Sequence, residues 1–379
     1  MAFRFIHSAD WQVGKVFRFV DGVEMGGLQL ARLEAITCIG ELAGEHNVSH
    51  VLVAGDVYDH AAPSPHTRNQ VVERMRAYAS VHWHLLPGNH DPYQPNGLWD
   101  QLRRRGLPDN IQLHTESAAT VIEQDTAVLL PAPLQHRRTL SDPTAWMDDQ
   151  ASDAHLIRIG LAHGAVYGFD TNEEQRANPI DPVRPQLARL DYLALGDWHG
   201  EFQVNERCWY SGTHETDSFQ TRGSGTALLV EIDGPNELPQ VTPLSTGQYR
   251  WVSLDERVES LEDVDLLERK LRNLDGDLNH TLVDLKLSGA LSLADLMHFE
   301  ERIVEGAAAA LFYLRIDRGQ LFPEPTDDDL DSIDPGGIVR VAADRLRGMA
   351  EAGGTDAELA SAALHRLYIE HKKLESGQR

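Results

Sequence analysis

The chain has 379 residues, 41% of them hydrophobic, and carries 59 Asp and Glu against 34 Lys and Arg, a formal charge of −25. That length leaves room for two or three domains and a large core. No run approaches the ~18 apolar residues of a membrane helix, and the acidic balance counts against a free-standing nucleic-acid binder, whose affinity rests on phosphate contacts. The start runs into a strand with no basic-then-apolar leader, and Cys38 and Cys208 lie too far apart in sequence for a CxxC pair, so a reducing cytoplasm is the expected compartment.

Taken in chain order, Phe3–Ala9, His50–Ala54, Val81–Leu86, Leu156–Ala162 and Tyr192–Leu195 are apolar, β-branched runs of strand length. Between them, residues 28–46 carry Leu28, Leu33, Ile36, Ile39 and Leu42 at a helical period. Ser64-Pro65 opens a second helix that continues through Val71, Val72, Met75 and Ala79. A third helix begins near Gly97 and ends in Arg103-Arg104-Arg105, where cations suit the C-terminal dipole. Strand-like runs follow at Ala127–Leu130, Trp209–Tyr210 and Thr226–Ile232. Strand–helix alternation followed by a strand-rich stretch predicts an α/β fold, a two-sheet α/β/β/α sandwich over residues 1–245.

A small α+β domain is expected over 246–320: a helix Leu261–Leu274, a strand Thr281–Leu287, a helix started by Ser292 with Asp295 at capping-box spacing, and a strand Tyr313–Ile316. Residues 321–337 hold six acids, three prolines and no base, a linker composition. A helical tail, 338–379, completes the chain as Ile338–Ala352 and Thr355–Leu374, divided by Gly353-Gly354. Thr355 and Glu358 form a second capping box, and the stripe containing Leu359, Leu364, Leu367 and Leu374 needs something to cover it, either a partner or its own chain.

The strand-like runs end in groups rich in metal-ligand side chains: Asp10-Trp11-Gln12, Gly55-Asp56-Val57-Tyr58-Asp59, Gly88-Asn89-His90-Asp91, an isolated His163, and Gly196-Asp197-Trp198-His199. Strands that end this way converge their side chains at one edge of a sheet, where open α/β sheets place their sites. The ordered set resembles the calcineurin-like metallophosphoesterase family, whose pattern runs DxH, GDxxD, GNH(D/E), H and GHxH, over roughly residues 1–215. Within it, Ser8-Ala9-Asp10, the chain length and the C-terminal layout look most like the SbcD-type DNA double-strand-break repair nucleases.

That resemblance implies the expected chemistry. Hydrolysis of a phosphodiester needs neutralised phosphoryl oxygens, a nucleophile at neutral pH and a proton for the leaving oxygen, and two cations about 3.5–4 Å apart supply the first two. By resemblance, one ion takes Asp10, Gln12, Asp56 and His199, and the other takes Asp56, Asn89, His163 and Asp197. His90 would protonate the leaving group, Asp91 would orient His90, and Asp59 would support the site. Gln12 and Asp197 replace histidines of the family pattern. Oxygen ligands favour Mn²⁺ or Mg²⁺ over Zn²⁺, so two divalent ions, with Mn²⁺ preferred, are expected. The implied partners are DNA and an SbcC-type coiled-coil ATPase gripped by the tail; a homodimer is left open, and no membrane is involved.

Two other functions compete with the nuclease. A hydrolase of nucleotides or other small phosphoesters is favoured by the charge, and a non-catalytic scaffold draws on Gln12 and Asp197. Trp11 and Trp198 offer stacking surfaces for unpaired bases, with packing around the site as the plain alternative. His7 reads as a core histidine, His82 and His84 as solvent-facing on one side of a strand, and His60, His66 and His114 as surface residues.

Overall fold

The computed structural model describes residues 2–167, 177–221, 223–323, 337–352 and 356–375. The chain divides into two compact units, Met1–Arg250 and Trp251–Arg379.

In the first unit, β1 (Phe3–Ser8), β2 (His50–Val53), β3 (His82–Leu85) and β4 (Ile111–Leu113) alternate with helices α1 (Gly22–Glu45), α2 (Pro65–Arg76) and α3 (Leu98–Arg105). There follow β5 (Thr120–Glu123), β6 (Ala127–Ala132), β7 (Ile157–His163), a two-stranded ribbon of β8 (Ala165–Val166) and β9 (Pro179–Ile180), the single-turn α4 (Arg184–Leu187), and β10 (Tyr192–Gly196). Then come β11 (Glu201–Asn205), β12 (Cys208–Ser211), β13 (Thr226–Ile232) and β14 (Gln240–Ser245). These strands form two six-stranded sheets, ordered β14-β13-β1-β2-β3-β4 and β11-β12-β10-β7-β6-β5. The sandwich is therefore present, but the ligand-bearing strands do not share one sheet edge. β1, β2 and β3 run parallel in the first sheet, while β7 and β10 run parallel in the second.

Strict alternation along each strand builds the layers. Ile6, Val51 and Val53 face α1, α2 and α3 together with Ile36, Ile39, Val71, Met75 and Trp99. Phe3, Phe5 and Leu52 face the second sheet and meet Leu129, Ile159, Leu161, Tyr192 and Ala194. On the far side of that sheet, Leu130, Leu193, Leu195 and Tyr210 are covered by Met147 and the short segments around it. The outer helical layer is thin here, since α4 has four residues and Ala145–Asp149 is a 3₁₀ turn.

The two-sheet packing also changes the expected place of several histidines. His84 and His114, read as solvent-facing, are buried, because the second sheet covers that side of β3. His50, His84 and His114 join ring to ring at 3.1 and 3.0 Å, and His50 continues to Glu123 at 3.2 Å. His7 is a core histidine, 3.0 Å from the Tyr192 hydroxyl and 3.1 Å from the Leu195 carbonyl.

In the second unit, β15 (Arg250–Val258), β16 (Thr281–Leu291) and β17 (Tyr313–Pro323) form a sheet in that order, with β16 and β17 parallel. Helices α5 (Leu261–Arg272) and α6 (Leu293–Phe299) cover it through Val264, Leu267, Leu271 and Phe299. Ser260 and Ser292 cap these helices by accepting from the backbone N–H groups of Asp263 and Asp295. Leu321–Pro323, expected to open the linker, instead extend β17 and pair with Gly289–Leu291. Residues 324–336 of the acidic stretch, Gly353-Gly354 and Thr355, the capping residue expected there, lie outside the described residues. The tail forms helices Ile338–Glu351 and Ala357–Glu375. Ala343, Leu364 and Tyr368 are buried in a cluster with Ala290, against which Phe322, Val339, Leu346 and Leu367 also pack. The tail stripe is thus covered in part by its own unit.

Candidate metal centre

Four residues of the motifs, Asp10, Gln12, Asp56 and Asp197, hold positive φ angles of 54°, 39°, 53° and 101°. Non-glycine residues in this region cost conformational energy and are held there only by their surroundings. Here the surroundings are a lattice of backbone bonds: Asp10 N–H donates to Gly55 O at 3.1 Å and Gln12 N–H to Asp56 O at 2.8 Å. Behind them the buried Arg32 guanidinium donates to the carbonyls of Asp10, Trp11 and Glu215 and to the Thr213 hydroxyl. Burial alone lowers its pKa, and nearby acids including Asp217 oppose that fall.

The motif glycines allow the strand ends to touch. A Cβ on Gly88 would lie 2.2 Å from Asp56 Oδ1, and one on Gly55 2.4 Å from His163 Nδ1. Without side chains there, ligand atoms of Asp10, Asp56 and His163 come within 4.8 Å of one another, all buried.

His163 donates Nδ1–H to the Ala54 carbonyl at 2.8 Å, which leaves Nε2 to face Asp56 Oδ1 at 3.5 Å and Asp197 Oδ1 at 3.6 Å. Asn89 donates its amide N–H to Asp197 Oδ1 at 2.9 Å. Both His163 Nε2 and Asn89 Oδ1 are buried with no hydrogen-bond partner among the described residues. Two buried side-chain atoms without hydrogen-bond partners beside carboxylates are what a cation would satisfy once the imidazole yields its Nε2 proton. The set Asp56, Asn89, His163 and Asp197 therefore fits a divalent ion.

The set Asp10, Gln12, Asp56 and His199 fits differently. Gln12 does not present its oxygen as expected: Oε1 accepts from Lys15 Nζ at 2.9 Å, while Nε2 lies 3.4 Å from Asp56 Oδ2 and 3.2 Å from His199 Nε2. Lys15 has only donors, so the atom it meets must be the oxygen. His199 is anchored through Nδ1, 2.9 Å from Asp217, which is also 2.6 Å from Lys15 and 4.0 Å from Arg32.

Electrostatics match a pocket built for positive charge. Burial raises Asp10 to about 6 against the pull of His163 and His199, and burial also raises Asp197. Burial pushes the His163 imidazole down, but Asp56, Asp10 and Asp197 outweigh it and bring it up to about 9. Burial works against the Asp217 charge as well, yet His199, Arg32 and Lys15 hold it far below the usual carboxylate range.

His90 donates Nδ1–H to the Asp59 carbonyl at 2.8 Å and sets Nε2 4.0 Å from Asp56 Oδ2. Asp59 acts through its backbone. Asp91 does not orient His90: its oxygens accept from Tyr58 N at 2.9 Å and Gly88 N at 2.8 Å, so it ties two motif loops together. Trp11 is fully buried between Trp83 and His214 and donates to Ser8, which removes it as a stacking surface. Trp198 is 45% exposed. The sequence reading missed Lys15, Arg32 and Asp217. Only Arg32 left a signal, a charge set among Leu28, Leu33 and Ile36 on the apolar side of α1.

A family model for calcineurin-like phosphoesterases matches residues 3–224. Among solved structures, TT1561 of Thermus thermophilus and GAP50, the anchor in the inner membrane complex of Plasmodium, are similar at 12% identity and a TM-score of 0.39. The alignments cover 65% of this chain and 100% and 85% of theirs. No curated protein matches the chain.

Proposed function

We propose, because the chain belongs to the calcineurin-like phosphoesterase family, that it is a metal-dependent phosphodiesterase cutting DNA in the manner of SbcD-type repair nucleases. The observation that carries the hydrolase reading is the pair of buried ligand-type atoms without hydrogen-bond partners, Asn89 Oδ1 and His163 Nε2, beside a cluster of buried carboxylates. Bound divalent ions would supply charge neutralisation for the phosphate and a nucleophile at neutral pH. The chain's own residues do the rest. The Ala54 and Asp59 carbonyls fix the tautomers of His163 and His90 through their Nδ1–H groups. A proton carried on His90 Nε2 lies at the pocket mouth, where a leaving oxygen can take it.

DNA as substrate is supported by the partly exposed Trp198, set in the chain between Asp197 and His199, an aromatic side chain of the kind on which bases stack. Mn²⁺ is the preferred ion on the strength of the oxygen-rich donor set. An SbcC-type ATPase is the proposed partner of the tail, where Ile338, Val341 and Leu359 are 86%, 67% and 72% exposed. A second reading, hydrolysis of nucleotides or other small phosphoesters, is favoured by the formal charge of −25.

The test compares linear duplex DNA, single-stranded DNA, a bis-nitrophenyl phosphate diester and nucleoside monophosphates, each with Mn²⁺, Mg²⁺ or Zn²⁺. Cleavage of DNA and of the small diester, best in Mn²⁺, is expected. Turnover confined to monoesters would sink the nuclease reading, and best activity in Zn²⁺ would sink the metal assignment.

A further inference from the structure

The two halves of the pocket are not equivalent. At one, Asn89 Oδ1 and His163 Nε2 await a cation. At the other, an amide NH₂ group occupies the space, 3.2 Å from His199 Nε2. An NH₂ group has no lone pair to give a metal. For Gln12 to bring its oxygen inward, the amide must turn over, and its NH₂ would then face the Lys15 ammonium, donor against donor. Lys15 does not readily yield, because Asp217, itself buried and braced by His199 and Arg32, holds the ammonium at 2.6 Å.

Resting on the reading of this pocket as a dimetal phosphodiesterase centre, we propose that Lys15 is a positioning residue that withholds the Gln12 oxygen from the first metal position, so that two divalent ions bind with unequal affinity. The first position keeps Asp10, Asp56 and His199 as its protein ligands. Three protein ligands with an open place is the pattern of sites that exchange water for substrate, whereas closed ligand sets belong to structural ions. The ion at the second position is the resident one, and the ion at the first loads from the medium.

The experiment is a Mn²⁺ titration of the full chain, followed by calorimetry and by the electron paramagnetic resonance signal of the free ion. Wild type is expected to show two affinity classes at least about tenfold apart, the scale on which residues behind the ligands act. Lys15→Met should tighten the weaker class about tenfold, Lys15→Arg should keep the wild-type split, and Gln12→Ala should not weaken the weaker class. Lys15→Met added to Gln12→Ala should change neither class, which separates the turning of Gln12 from the simple loss of a positive charge. One affinity class in wild type, weakening by Gln12→Ala, or an equal Lys15→Met effect without Gln12 would each overturn the proposal. Gln12→Ala decides the matter even where Lys15→Met does not fold. Two-class binding without diester hydrolysis would instead overturn the phosphodiesterase reading and leave this one standing.

Discussion

His90 reaches the pocket through Nε2 while its Nδ1–H is committed to the Asp59 carbonyl. His90→Ala should therefore retain metal and lose about 10²–10⁴-fold in turnover on diesters with poor leaving groups, the usual worth of a general acid. A nitrophenyl diester should be hurt less, and equal losses on both substrates would contradict the role. Gly88→Ala should do the opposite. Its Cβ would stand 2.2 Å from Asp56 Oδ1 and 2.3 Å from Asp56 N, so Asp56 must move, and calorimetry should show loss of tight metal binding in a protein that still folds by circular dichroism. Unchanged metal affinity would show that the close approach does not matter. That Asp10, Asp56 and His163 gather in one buried cluster was legible in the sequence, because the spacing of the motifs after apolar runs is a local property. Which way Gln12 turns was not, because that is decided by Lys15 and Asp217, which carry no motif and meet it only in the fold. The Asp91 role depends on the fold in the same way: adjacency to His90 suggests a partner, but the strand-end turn points its carboxylate back to the N–H groups of Tyr58 and Gly88.

At the scale of elements, α1 begins at Gly22, six residues before the apolar period that announced it at Leu28. Gly22, Gly26 and Gly27 have low helix propensity and hid the first turns. Gly26 is exposed, and a Cβ there would meet nothing within 4 Å. Gly26→Ala should stabilise the protein by about 0.5–1 kcal/mol in urea unfolding; a loss of stability would mean that the helix start is not as described. The tail shows where periodicity stops informing. It marked an apolar stripe correctly as needing cover, but Leu364, Leu367 and Tyr368 find part of that cover on Ala290 and Phe322 rather than on a partner. The docking proposal accordingly rests on the exposed Ile338, Val341 and Leu359. Changing these three to Ser should abolish co-purification with a coiled-coil ATPase while leaving small-diester hydrolysis unchanged. Retained co-purification would move the docking surface elsewhere.

For the molecule as a whole, charge and pH are coupled through the pocket. Asp10, raised to about 6, and His163, raised to about 9, both hold protons more firmly in the metal-free fold than in the unfolded chain. Their ionisation state therefore favours folding at lower pH: the Asp10 contribution is lost as pH rises from about 4 to about 6, and the His163 contribution as pH rises from about 6.5 to about 9. His7, lowered by burial to about 3, and His114, lowered by burial to about 4, act oppositely and remove stability as pH falls below about 6.5. Chelated protein should thus be most stable near pH 6. The rise in melting temperature on adding Mn²⁺ should grow between pH 6 and pH 9, as bound protons cease to compete with the ion; a rise that shrinks over that range would contradict the assignment. The two-layer architecture was legible from strand–helix alternation, whereas the division of the ligand strands between two sheets was not, because pairing partners are chosen by long-range packing of Phe5, Leu52 and Tyr192 against one another. In the proposed function this pocket hydrolyses phosphodiesters with divalent metal held by Asp56, Asn89, His163 and Asp197. That function is tested most directly by stripping the protein with chelator, restoring it with Mn²⁺, and following bis-nitrophenyl phosphate hydrolysis in wild type and in Asn89→Ala. Loss on stripping, recovery with Mn²⁺, and failure of Asn89→Ala to bind the resident ion or turn over are expected; hydrolysis that survives stripping, or full activity in Asn89→Ala, would contradict the account.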